Sequence, residues 1–154
     1  MAEIAPRPPR ALVLDPRGRD AGFLARVLSR EFEVRSAPAP ESAPEAMADD
    51  GLAVAFVVAD HDPGAARALL AAVARAQPDA ARAAVAPPSD PAIFGLSAAG
   101  AEHILLRPML ETALRLVART ARETFALRRA VAALEEGVAG AAARAVEGLV
   151  SPRL

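Results

Sequence analysis

The stretch Leu52–Asp60, LAVAFVVAD, constrains the fold more than any other. Apolar residues follow one another without a polar break and end on an acid. A half-buried strand would alternate; a continuous run must be covered on both faces, as in a parallel sheet between two layers of helix. ALVLD (11–15), ARAAVA (81–86) and HILLR (103–107) read as shorter strands of the same sheet, and EVRSA (33–37) as a polar, edge-like strand.

The intervening segments read as helices. DAGFLARVLSREF (20–32) places Phe23, Leu24, Val27 and Leu28 on one face, with Asp20 as N-cap. PESAPEAMADDG (40–51) is a weak helix punctuated by Pro44 and ended by Gly51. AARALLAAVARAQP (65–78) is stopped by Pro78. PAIFGLSAAG (91–100) starts behind Asp90 as N-cap and closes at Gly100. From Met109 to about Val150 no proline interrupts the chain, which reads as one long helix or two. Five strand–helix alternations predict an α/β fold: a (βα)5 doubly wound, parallel, five-stranded sheet with an extended C-terminal helix. Residues 1–9 are Pro-rich and are expected to be flexible. Residues 10–124 form the domain and 125–154 a helical extension.

Composition narrows the function. The 154 residues carry a net charge of −1, so bulk charge calls for neither nucleic acid nor an anionic membrane. The chain has no Cys, which excludes thiol catalysis and cysteine metal sites. No apolar run approaches the roughly 18–20 residues that span a bilayer. MAEIAPRPPR lacks the apolar core of a signal peptide, so a cytoplasmic location is expected.

In parallel α/β sheets, functional groups gather where loops leave the carboxyl ends of the strands. Asp15, Asp60, Ala86 and Arg107 all fall at such ends and should share one rim. Asp60, His61 and Asp62 are adjacent in sequence and do not read as a metal cluster. His61 reads as a loop residue and His103 as a strand start. Pro87-Pro88 is a candidate cis-proline turn.

On these residues the sequence resembles the receiver domain of two-component response regulators, the CheY-like (flavodoxin-like) fold, over about residues 10–125. LVLDPRG resembles the first receiver strand with its terminal acids. VVADHDPG resembles the phospho-acceptor strand and its Pro-Gly loop. GAEHILLRP (100–108) resembles the ending that carries the conserved Lys-Pro. The 45 positions between Asp15 and Asp60 match the family's spacing between acid pair and acceptor.

The resemblance implies a site at Asp60 (acceptor), Asp15 and Asp62, with Ala86 at the hydroxyl position, Ile104 at the switch-aromatic position and Arg107 at the lysine position. It also implies a degenerate one. Pro16 stands where a second acid belongs, Ala86 offers no hydroxyl, and Arg107 is a planar fork in place of a compact ammonium. Mg²⁺ at Asp15 and Asp60 is expected to be weak or absent, and no other cofactor is implied. The expected function is a non-enzymatic pseudo-receiver working through protein contacts. The alternatives are a phospho-accepting response regulator using Asp60, and the N-terminal part of an ANTAR-type antiterminator.

The tail bears on partners. Leu127, Val131, Leu134, Val138, Ala141 and Ala145 repeat at alternating spacings of four and three, an a/d seam of a coiled coil. An earlier face, Leu110, Leu114, Val117 and Ala121, should pack on the sheet, with the register shifting near Thr124. A homodimer is expected through the seam and through the face made by the 91–100 helix, the 103–107 strand and the last helix. Other signalling proteins or a histidine kinase are the remaining expected partners. Few basic residues and no aromatic beyond Phe125 in the tail speak against nucleic acid, and a three-helix RNA-binding module is not expected within the residues up to Leu154.

Overall fold

The computed structural model describes residues 7–37, 42–48, 51–59, 63–88 and 93–150, with Pro63, Ile93 and 148–150 described by backbone alone. The elements alternate as β1 (Arg10–Leu14), α1 (Ala21–Leu28), β2 (Glu33–Ala37), α2 (Ala43–Met47), β3 (Leu52–Val58), α3 (Pro63–Ala76), β4 (Ala81–Ala86), α4 (Ile93–Ala98), β5 (His103–Leu106) and α5 (Glu111–Val150). The strands pair in parallel in the order β2-β1-β3-β4-β5.

All seven residues of β3 are buried, as a central strand covered on both faces requires. Side chains alternate between two apolar layers. Leu12, Leu14, Ala55, Val57 and Ala84 pack with residues of α2, α3 and α4. Val13, Val54, Phe56, Val85 and Leu105 pack with Leu24, Val27 and Leu28 of α1 and Leu114, Ala118 and Ala121 of α5. The strand order reverses direction between β1 and β3, and the crevice beyond their carboxyl ends is where ligands bind in such sheets.

Several boundaries and contacts differ from expectation. Helix α1 ends at Leu28, and hydrogen-bonded turns carry the chain on to Phe32, which is still buried. Pro44 does not break α2; it sits in the first turn, where a missing N–H costs nothing. Leu110 precedes α5 and is exposed, so Ala118, not Leu110, joins Leu114 and Ala121 on the sheet. The cis peptide bond is at Arg107–Pro108; Pro87-Pro88 is not cis. Asp90, expected as an N-cap, lies outside the described residues.

Helix α5 is a single helix about 60 Å long. It stays against the body as far as Arg128, whose Nη1 donates to Glu102 at 3.1 Å and to the Ala80 carbonyl at 3.4 Å. Arg82 completes this anchor, donating from Nε to the Gly100 carbonyl at 2.9 Å and pairing with Glu102 at 3.5 Å.

Candidate functional site

Asp15 directly follows β1, is 2% exposed, and is the one buried charged residue among those described. The chain then turns sharply. Gly18 N–H donates to the Asp15 carbonyl at 3.1 Å, closing an Asp–Pro–x–Gly turn with Gly18 at φ +71°. Proline suits the second position of such a turn and glycine the last. Pro16 thus builds the turn that brings the start of α1 back onto Asp15. Asp15 Oδ2 accepts from the backbone N–H groups of Asp20 at 2.8 Å and Ala21 at 3.0 Å.

This corrects the role expected of Asp20. It occupies the N-cap position of α1, but its side chain makes no cap hydrogen bond. Asp15 supplies the carboxylate that satisfies the helix's first donors and faces its positive end. The Asp20 side chain is left for Arg107, which donates from Nε to Oδ2 at 3.1 Å and from Nη2 to the same oxygen. Both partners are largely buried. Arg107 itself is placed by the sheet, its N–H donating to the Ala86 carbonyl at 3.1 Å.

Asp15, Ala86 and Arg107 therefore do share the carboxyl rim. Ala86 is the last residue of β4 and fully buried, offering a methyl and no hydroxyl. Ile104 lies in β5, half-buried against the α2–α3–α4 layer. His103 opens β5, as read from the sequence. Asp60, His61 and Asp62 lie outside the described residues.

A receiver-type site implies Mg²⁺, which needs near-octahedral oxygen ligands. Among the described residues no three acids or histidines group to hold a metal ion. Asp15 Oδ1 is buried without a hydrogen-bond partner, so one carboxylate oxygen fits a cation. Its companion Oδ2 is engaged by α1, and Pro16 contributes no side-chain ligand. The described residues thus fit at most a single side-chain contact.

Sequence reasoning missed two groups. Asp20 was assigned to capping, and no local pattern links it to Arg107, 87 positions away. The Glu102 anchor was also missed. Burial pushes the Glu102 carboxyl up, but the Arg128 hydrogen bond and charge, together with Arg82, outweigh it and hold it below its ordinary value. The same hydrogen bond raises Arg128.

From Leu127 onward the α5 side chains of the seam face solvent: Leu127, Leu134 and Val138 are each more than two-thirds exposed and Val131 is half exposed. Phe94 on α4, Leu106 on β5 and Leu110 add further exposed apolar groups. Among the described residues no helix is long and apolar enough to cross a membrane.

No protein-family model and no curated protein matches the chain. Solved structures do. The receiver domain of NtrX from Brucella abortus is 24% identical with a TM-score of 0.65, the match covering 74% of this chain and 98% of that one. The longer NtrX chain bound to ADP is 26% identical (TM-score 0.71), covering 81% of this chain; the chain spans 28% of that protein's length. An adenylate cyclase from Rhodopirellula baltica is 16% identical (TM-score 0.73), covering 82% of this chain and 96% of that one. A Burkholderia pseudomallei response regulator with a phosphorylated aspartic acid and a calcium ion is 25% identical (TM-score 0.63), covering 82% and 74%. The chain has the CheY-like fold, and its structural neighbours are mostly response-regulator receiver domains.

Proposed function

We propose that this chain is a pseudo-receiver: a non-enzymatic signalling module that acts by protein contact and is not switched by phosphorylation of Asp60. The observation that carries the reading is the prior engagement of the two charged groups the chemistry would need. Asp15 Oδ2 caps α1, and Arg107 is held by Asp20. Phosphoryl transfer depends on a cation and donors arranged for the charge that develops. Ala86 supplies no donor, and moving Arg107 onto a phosphoryl group would break a largely buried ion pair.

In this reading, residues 10–124 are the receiver-like unit and 125–154 the extension, working in the cytoplasm. A second copy binds along Leu127, Val131, Leu134 and Val138, and along the α4–β5–α5 face through Phe94 and Leu106. The heptad spacing favours a helix carrying the same seam as the partner. Other signalling proteins, including a histidine kinase, would read the assembled dimer. Incubation with acetyl phosphate and Mg²⁺, followed by intact-mass measurement, tests the reading. No phosphoryl adduct is expected; an adduct absent from Asp60→Asn overturns it.

One observation favours a second reading, a phospho-acceptor at Asp60 with Asp15 and Asp62 at the metal. Asp15 Oδ1 is buried without a partner, a costly state that a cation would relieve.

A further inference from the structure

The amino edge of the sheet, opposite the Asp15 rim, carries a cleft of about 380 Å³ between the chain entering β1, Gly51 and helix α5. Its α5 wall is Arg122, Phe125, Ala126 and Arg129, which follow at three, four and seven positions and so share one helical face. Arg7, Pro9 and Arg10 form the opposite wall. Four guanidiniums thus line the cleft together with the Phe125 ring and the Ala126 methyl, and among the described residues no acid lines it.

Arg10 is paired with Glu33 at 3.9 Å. Arg7, Arg122 and Arg129 form no ion pair with a described residue. Arg129 lies over the Phe125 ring, 5.6 Å from its centroid, so guanidinium and ring sit together on the α5 wall. Asp49 and Asp50, next to Gly51 in sequence, lie outside the described residues. Like charges gathered around one cavity repel, and an anion that fills it removes that repulsion. Guanidinium forks match phosphoryl oxygens two by two. The volume falls within the range of small-molecule sites.

We propose that this cleft binds a small anion bearing a pyrophosphoryl group, gripped by Arg7, Arg122 and Arg129 above Phe125. This assignment is independent of how Asp60 is used. It is distinct from the carboxyl rim in place and in charge.

Calorimetric titration of the whole chain with inorganic pyrophosphate and with ADP, at low and moderate salt, tests it. Saturable one-to-one binding that weakens with salt is expected. Arg122→Glu with Arg129→Glu should weaken it by about ten-fold or more. Arg30→Glu, on the α1 side of the molecule, should leave it unchanged. ADP binding tighter than pyrophosphate, with the difference lost in Phe125→Ala, identifies a nucleotide; equal affinities identify the bare anion. Failure of both probes to saturate at millimolar concentration, or binding that survives the double charge reversal, overturns the proposal.

Discussion

Arg107 at the end of β5 and Asp20 at the start of α1 form a largely buried ion pair, Nε to Oδ2 at 3.1 Å, across 87 positions of sequence. Asp20 is free for this role because Asp15 has taken over the capping of α1. Each residue at the rim thus has a structural consequence for its neighbour: Pro16 shapes the turn, the turn delivers α1 to Asp15, and the relieved Asp20 holds Arg107.

Removing Asp20 should expose this dependence. Asp20→Ala leaves a mostly buried guanidinium with fewer acceptors and should cost about 1–3 kcal/mol. Urea unfolding reads it as a lower midpoint at an unchanged slope. A midpoint equal to wild type would show that the pair contributes nothing.

Asp15 should matter for stability as a cap. Asp15→Ala leaves two N–H groups at the α1 terminus unsatisfied and should cost about 1–2 kcal/mol. Asp15→Asn keeps an acceptor for these N–H groups, so it should cost less. Equal losses for both would mean that charge, not capping, is what the position requires.

The anchor of α5 should respond to acid. Glu102 is held below its ordinary value of 4.5, so the folded state binds its proton less readily than the unfolded chain. Its contribution is fully present above pH 4.5 and is lost as the pH falls through the lower folded value. Arg128→Met should flatten this part of the stability profile, measured by urea unfolding between about pH 6 and pH 3. An unchanged profile would contradict the assignment.

Much of this architecture was legible in the sequence. The unbroken apolar run of β3 dictated a strand covered on both faces, and Gly and Pro marked most element ends. The seam of α5 was readable because helical periodicity survives in sequence. What was not readable was tertiary. Asp20 looks like any N-cap until the turn at Pro16 brings Asp15 onto the same N–H groups. Leu110 fits the α5 periodicity but precedes the helix, so its side chain is not carried to the sheet. Glu102, Arg82 and Arg128 carry no pattern at all, because their meeting depends on where β4, β5 and α5 end in space.

The exposed seam should act in assembly. Sedimentation should give twice the chain mass of 15.9 kDa for the wild type and the single mass for Leu134→Glu. Because Leu134 is exposed, the exchange leaves the core untouched. An unchanged mass in the variant would remove the seam from the interface.

In the pseudo-receiver reading the rim does not respond to phosphoryl chemistry. Titration of isotope-labelled protein with beryllofluoride and Mg²⁺, followed by backbone amide shifts, measures this directly. No saturable shifts are expected at Ala86, Arg107 or the start of α1 at millimolar metal. Saturable shifts at these positions that vanish in Asp60→Asn would contradict it.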